Sequence, residues 1–315
     1  MYAAPVAVTL HVVSGDRDLA RLLAIRNAID ARPLTLEGYH AERTAALGEL
    51  ALLATLDGED VGAGEVGWRA FMAEAGFAFV DAWVLPSARH RGVGRALIDR
   101  MIGFARDGGM TSLRSVVRDG DHESLEFATR RGFAVTTRGQ EGRLDLSAID
   151  APKPPVLPDV EITTLADRPD LDRAAYDVMM RVRPEVPAMA GEAAPSFEAW
   201  RTDTFDDPGF LPGLSVMAIH DGRVVGIIEI YDNAGGVIFI GMTAVDPDYR
   251  RHGVARLLKA ELSHRAKAAG VIRIETYNDG SNERIRALNE SLGYVYLPWK
   301  LGLKGPIPPA DVTAG

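Results

Sequence analysis

The sequence contains no cysteine, which removes disulfides, thiolate metal ligands and a thiol nucleophile together. Basic charge is not in excess either: 35 Lys and Arg stand against 44 Asp and Glu, a net charge of -9. Nucleic-acid binding rewards clustered cations facing phosphates, so no nucleic-acid partner is expected; the acidic balance serves solubility and agrees with a cationic small substrate. Long apolar runs are missing. No window approaches the ~20 apolar residues that span a bilayer, and the apolar start, Met1 to Val13, lacks the basic flank of a signal peptide. A soluble, cytoplasmic protein with no membrane partner is the expectation. His252 and His264 have no acids at ligand spacing, so no metal is expected. Gly-Lys-Ser/Thr is absent, and so is a Gly-x-Gly-x-x-Gly followed by an acidic residue, which sets aside the common nucleotide loops.

What is present is a repeat. At 315 residues, with 47% apolar and 25% charged residues, the chain has material for two cores. "RHRGVGRAL" and "RRHGVARLL" place Gly253 161 residues after Gly92. The same spacing relates Val84 to Val245, Pro86 to Pro247, Arg89 to Arg250, Leu97 to Leu258 and Gly132 to Gly293. Upstream the spacing is 164, from Asp57, Gly58, Gly62 and Glu65 to Asp221, Gly222, Gly226 and Glu229, so a length difference is expected between Trp68 and Gly76 against Asp232 and Gly236. Pro152, Pro154, Pro155 and Pro158 crowd the stretch between the copies and predict an extended linker. The division expected is residues 1–150, a linker at 151–158, and residues 159–315.

Each copy predicts the same α/β order. In the second, strand Val160 to Leu165 precedes helices at Leu171 to Val182 and Phe197 to Phe205, then strands Leu214 to His220, Arg223 to Tyr231 and Val237 to Val245. Asp221-Gly222 predicts a hairpin turn. A helix from Gly253 to about Ala269, stopped by Gly270, is followed by strand Val271 to Tyr277 and helix Asn282 to Leu292, with Ser281 as the expected N-cap.

The chemistry concentrates where a strand ending in Val-x-Pro turns into a long helix. Backbone N–H groups at a helix start lack intrahelical partners and carry the positive end of the helix dipole, so a pyrophosphate binds well there. Gly92 and Gly253 admit close approach, Gly94 and Ala255 keep the next turn small, and Arg89, Arg91, Arg250 and Arg251 offer cations to phosphate oxygens.

Twice repeated in equivalent contexts, Arg-x-x-Gly-x-Gly/Ala resembles the acetyl-CoA signature of the GCN5-related N-acetyltransferase (GNAT) family. The resemblance spans about Asp57 to Phe133 and Asp221 to Tyr294. In length and two-domain layout the chain is also similar to mycothiol synthase-like tandem members. The resemblance implies two tandem GNAT-like domains, each a mixed, splayed, mostly antiparallel sheet flanked by helices. It implies acetyl-CoA as cofactor, held by Val84, Arg89, His90, Arg91, Gly92, Val93 and Gly94, and by Val245, Arg250, Arg251, His252, Gly253, Val254 and Ala255. The pantetheine arm is expected between splayed strands, Ala78 to Val84 with Ser112 to Val117, and Val237 to Val245 with Val271 to Tyr277.

The family also places an Asn beside the pantetheine and, seven residues on, a Tyr that protonates the leaving thiolate. Here Asn282 matches the Asn, and Asn289 stands at the Tyr position; Asp121 and Ala128 stand there in the first copy. Asn289 is expected either on the helix surface or bridging water or the thiol. Tyr294 and Tyr277 are the nearby phenols, Tyr294 aligning with Phe133 as a core residue would. Amine acetylation also needs a base, since an ammonium with a pKa of ~10 has no lone pair at neutral pH. Glu229, repeated as Glu65, and Glu275 are the carboxylates on strands; a solvated strand face is the other reading of each. The expected function is acetyl transfer to a small amine by direct attack, with Glu229, Asn289 and Tyr294 as catalytic candidates in the second half. A CoA-binding module without transfer is the alternative. The segments Arg32 to Leu47 and Pro184 to Asp207, expected to line the acceptor pocket, carry no recognisable motif.

Overall fold

The computed structural model describes residues 7–30, 34–42, 46–69, 72–73, 75–186, 189 and 194–309. The chain forms two compact units, Met1–Thr136 with Leu301–Gly315, and Thr137–Lys300. In the first, β1 (Thr9–Val12), α1 (Gly15–Ile29) and α2 (Leu36–Glu42) lead into β2 (Gly48–Leu56), β3 (Glu59–Trp68) and β4 (Phe77–Val84). Then come α3 (Val93–Asp107), β5 (Ser112–Arg118) and α4 (His122–Thr129). Asp57 and Gly58 both take positive φ, 54° and 85°, the twist a two-residue hairpin needs between β2 and β3. The sheet order is β1-β2-β3-β4-β5, antiparallel except for the parallel β4–β5 pair.

The second unit repeats this plan. It contains β7 (Val160–Thr164), α5 (Asp172–Val182), α6 (Phe197–Phe205), β8 (Val216–His220), β9 (Arg223–Asp232), β10 (Val237–Val245) and α7 (Val254–Ala268). β11 (Arg273–Asp279), α8 (Glu283–Ser291) and the short β12 (Val295–Tyr296) follow. The expected strand start at Val271 moves to Arg273 because the Val271 N–H closes the end of α7 on Ala266 O at 2.9 Å. Asn282, not Ser281, caps α8: its side chain accepts from Ile285 N. The length difference between copies falls where expected, β3 ending at Trp68 and β4 starting at Phe77 against Asp232 and Val237, with residues 70–71 and 74 of that turn outside the described residues.

The division itself departs from two contiguous halves. The strand β6 (Ala134–Asp145) ends the first sequence copy, yet residues 139–145 pair antiparallel with β11 of the second unit, Leu144 opposite Ile274. The last strand, β13 (Lys300–Pro306), takes the place beside β5 in the first. Leu144 and Leu146 bury in the core around α7, and Leu301 and Leu303 bury in the core around α3. The Pro-rich stretch at 151–158 therefore lies within the second unit and is no boundary: Leu157 packs on its core and reaches to 3.6 Å from where a Gly253 Cβ would stand. Apolar complementarity decided the exchange; a proline count cannot report it.

The second sheet carries two distinct faces. Ile228, Ile230, Ile238, Ile240 and Ile274 pack under α7 and α8 together with Val254, Leu258 and Leu262. Met217, Ile227 and Ala244 pack instead with Val178, Met179 and Trp200 of α5 and α6. Alternation along β9 assigns Glu229 and Tyr231 to this second face.

Candidate active site

In each unit the strand-to-helix loop has the same braced form. Arg250 Nε donates to Val245 O at 3.2 Å, and its guanidinium grips Glu185 at 2.8 and 3.0 Å. That pair holds the Glu185 carboxyl below its usual range. Arg89 Nε donates likewise to Val84 O at 3.3 Å, and its Nη1 donates to Glu123 at 2.8 Å. Both arginines thus brace the loop, each paired with a backbone carbonyl and a carboxylate. Arg251 and His252 are exposed, as are His90 and Arg91; His90 lies 2.9 Å from Glu123 and Arg91 3.6 Å from Asp57.

Past the brace, Arg251 and Gly253 take φ of 65° and 84°, matched by His90 at 60° and Gly92 at 87°. Only glycine adopts this conformation at the cap without strain, and with no Cβ the main chain there stays open. The first helical bonds run from Leu257 N to Gly253 O and from Ala96 N to Gly92 O, so the N–H groups of Val254, Ala255 and Arg256, and of Val93, Gly94 and Arg95, have no carbonyl within their helices. Val93 and Val254 bury their side chains in the cores and offer only backbone to a ligand. Gly94 is closed in by Phe127, 3.3 Å from a Cβ built there.

Beside each loop the parallel ladder stops early. β10 pairs β11 only over Val237–Ile240 with Arg273–Thr276, although the strands continue to Val245 and Asp279; β4 pairs β5 only over Phe77–Phe79 with Ser112–Arg114. A register shift between Ile240 and Met242 marks where the second ladder ends. Strand backbone freed of a ladder partner suits an extended ligand with amide groups.

Glu229 sits opposite Met242, at that shift, on the α5/α6 face. It is 8% exposed, and Trp200 Nε1 donates to Oε1 at 3.0 Å. Among the described residues it has no salt-bridge partner, and burial pushes its carboxyl up to about 7, with the indole N–H opposing the shift. Its repeat partner Glu65 accepts the Tyr39 hydroxyl at 2.5 Å and faces Asp81 across β3–β4. Desolvation and then the Glu65 charge push Asp81 up to about 6, although its side chain keeps solvent exposure. Glu275 is fully buried and engaged, accepting from Asn233 at 2.8 Å and pairing with Arg273 and Arg143 at 2.8 and 3.3 Å, so it is a structural ion-pair centre.

The remaining candidates lie on the α7/α8 face. Asn289 is no surface residue: it is 0% exposed, and its Nδ2 donates to Asn278 Oδ1 at 2.9 Å and to the Tyr296 hydroxyl at 2.8 Å. Tyr294 is buried in the core with its hydroxyl unpartnered among the described residues, and desolvation pushes its phenol far upward, so it is a packing residue. Lys259 lies 5.5 Å from that ring, 1% exposed, its ammonium pushed down to about 7 by burial. Tyr277 is half-exposed with its ring over Gly139. Asn282 caps α8 and is exposed.

The sequence reading missed Trp200, Asn278 and Tyr296. Nothing in the composition of Pro184 to Asp207 singles out Trp200, whereas the second tyrosine in "GYVY" was a visible signal for Tyr296. Of the two expected acceptor segments, residues 32–33, 43–45, 187–188 and 190–193 lie outside the described residues. No group of metal-ligating side chains occurs among the described residues, and no described helix is long and apolar enough to cross a membrane.

The chain matches the acetyltransferase (GNAT) family over residues 22–133 and 177–294. It is 27% identical over 217 residues to mycothiol acetyltransferase of Thermomonospora curvata, covering 67% of this chain and 68% of that one. Its fold resembles a GCN5-related N-acetyltransferase from Sphaerobacter thermophilus, with a TM-score of 0.76, 20% identity and 96% of each chain covered. It also resembles a tandem GNAT protein from the clavulanic acid biosynthesis pathway, with a TM-score of 0.72, 20% identity, and 97% and 100% covered. With two family matches, each over a braced strand-to-helix loop and an interrupted ladder, the chain belongs to the GNAT acetyltransferase family.

Proposed function

We propose that the protein transfers an acetyl group from acetyl-CoA directly to a small primary amine, and that the second unit does the chemistry. One observation carries the reading: Glu229 is a nearly buried carboxylate with no cationic partner among the described residues, set where the β10–β11 ladder ends. An ammonium is the partner such a group lacks.

The residues present suit acetyl-CoA. The open N–H groups of Val254, Ala255 and Arg256 and the Cβ-free cap at Gly253 suit the pyrophosphate, with Arg251 and His252 exposed beside them. The unpaired strand edges after Ile240 and Thr276 suit the pantetheine amides. When bound, acetyl-CoA supplies an activated acyl group. Glu229 takes the proton that the amine must lose, and its value near 7 leaves a useful fraction ionised at neutral pH. Trp200 fixes the carboxylate through Oε1 and leaves Oε2 for the amine. With no cysteine in the chain, a thiol acyl-enzyme is impossible, and a ternary complex is the simplest course.

The test is a thiol-release screen of amines, aminoglycosides, amino acids and peptide N-termini with acetyl-CoA. Release that depends on one amine class and converges in double-reciprocal plots supports the reading. CoA binding with no release in any class would instead favour a binding module.

A further inference from the structure

The reading above leaves the acceptor undefined beyond a primary amine, and the sheet face that holds Glu229 narrows it. Ladder partners carry that face across four strands of the second unit. Glu229 of β9 stands opposite Met242 of β10, Tyr231 opposite Phe239, and Phe239 opposite Glu275 of β11. Glu275 and Tyr277 in turn stand opposite Arg143 and Glu141 of β6. Directly paired residues share a face, as do alternate residues of one strand, so Glu229, Met242 and Tyr277 belong to the same side of the sheet. Met242 and Tyr277 lie just past Ile240 and Thr276, the last residues of the β10–β11 ladder, one on each side of the opening.

The surroundings of this opening are aromatic and thioether. On the α5/α6 side, ring contacts run from Trp200 to Phe205 at 6.0 Å, on to Phe210 at 5.2 Å and to Tyr231 at 5.4 Å between centroids. That run starts at the indole bonded to Glu229 and returns to the sheet two residues beyond it. Gly241, at the register shift, makes room for the Tyr231 ring, since a Cβ there would lie 2.7 Å from it. Across the opening, Tyr277 lays its ring over Gly139, where a Cβ would lie 2.6 Å away, and remains 38% exposed. A ring kept against the backbone yet partly exposed is a platform for a flat apolar group, and a methionine sulfur beside it suits an aromatic edge.

Positive charge on the same face is already engaged. Arg273 and Arg143 pair with Glu275 at 2.8 and 3.3 Å, and Arg143 and Lys300 pair with Glu141 at 2.7 and 3.4 Å. On α5 and α6, Arg173, Arg181 and Arg201 are bonded to Asp177, Asp246 and Asp172, and just beyond α5 Arg183 gives Nη1 to Met189 Sδ. From Pro184 to Trp200 the sequence holds three glutamates and no Lys, Arg or His. A carboxylate or phosphate brought to Glu229 would therefore meet a nearly buried like charge and, among the described residues, cations that already have partners.

We propose that the acceptor is an arylalkyl amine with no acidic group, its ammonium reaching Glu229 and its ring resting against Tyr277 and Met242. Two strand spacings separate β9 from β11, about 10 Å, so a linker of a few carbons between nitrogen and ring suits the span. A sugar amine would instead bring several hydroxyls against aromatic and thioether side chains and strip them of water.

The inference rests on the acetyltransferase reading, so the experiment scores binding and transfer separately. Calorimetry on the CoA-saturated protein compares 2-phenylethylamine with phenylalanine, the same body plus a carboxylate, and with glucosamine. The first should bind about 100-fold more tightly than either of the others. Tyr277→Ala should weaken 2-phenylethylamine about tenfold, while Tyr277→Phe, which keeps the ring and drops the hydroxyl, should leave it unchanged. The same three amines are then assayed for thiol release from acetyl-CoA. Equal binding of phenylalanine or glucosamine, no binding of 2-phenylethylamine, or equal losses in the two Tyr277 variants overturns the proposal. Transfer to glucosamine or phenylalanine in preference to 2-phenylethylamine overturns it too, while upholding the transfer reading. The expected binding order with no thiol release keeps the ligand class and rejects the transfer reading.

Discussion

Glu65 and Glu229 occupy equivalent strand positions in the two units, yet their surroundings have diverged. Glu65 is tied to a tyrosine hydroxyl and faces a second carboxylate, Asp81, whereas Glu229 has, among the described residues, one indole N–H and no ion-pair partner. The same contrast recurs across the sheet, where Val117, Ala128 and Val135 in the first unit correspond to Asn278, Asn289 and Tyr296 in the second. The loops, by contrast, share their features: an Arg brace on a strand carbonyl, an αL glycine cap and an interrupted ladder. Duplication has therefore kept the loop geometry in both copies, while the surroundings of the strand carboxylate have diverged.

The sharpest way to break this comparison is a matched pair of isosteres. Glu229→Gln should lower kcat about 100- to 1,000-fold, while Glu65→Gln should leave it nearly unchanged; equal losses would erase the distinction between the units. The pH profile sharpens it. The rate should rise with pH and level above about 7 as Glu229 ionises, and Trp200→Phe, which removes a donor favouring the ionised form, should move the inflection upward.

A second break concerns the exchanged strands. Leu303 is buried in the core around α3, so Leu303→Ala should cost about 2–4 kcal/mol of stability, read as a loss of hydrogen-exchange protection in β4 and β5. Protection lost only in β10 and β11 would contradict the unit assignment.

The smallest expected effect distinguishes the two long helices. Lys259 stands where the first unit has Ile98, and its folded value, near 7, lies below the ordinary lysine value of 10.5. The unfolded chain therefore binds more protons between those values, so this group makes stability rise with pH from about 7 toward 10.5. Lys259→Met should stabilise the protein below pH 7 and flatten that slope, as followed by denaturant midpoints. Glu229 has the opposite sign: its folded value is above its unfolded one, so its contribution is full below 4.5 and declines as pH rises through about 7.

The repeat made the architecture legible. Hairpin glycines, the Val-x-Pro turn and the amphipathic helices placed Phe197–Phe205 and Val237–Val245 to the residue, because local periodicity and turn chemistry determine such elements. Strand exchange was not legible, since Leu144 and Leu303 look alike as apolar strand residues and only tertiary packing decides which core each enters. The same limit governs the site. Gly92 and Gly253 are readable from a motif of nine residues, whereas Tyr296 reaches Asn278 across a third strand, a relation with no sequence spacing to betray it. Asn289 looked like a solvated helix residue because its position on α8 could not reveal the two side chains that bury it.

The most direct test of the central claim, that catalysis belongs to the second unit, is acetyl transfer and calorimetric acetyl-CoA binding by Gly92→Asp and Gly253→Asp. Each puts a carboxylate and a strained αL side chain at one cap. The account predicts that Gly253→Asp abolishes transfer and weakens binding in the second unit, while Gly92→Asp leaves transfer intact whatever it does to binding. Loss of transfer in Gly92→Asp with activity retained in Gly253→Asp would contradict it.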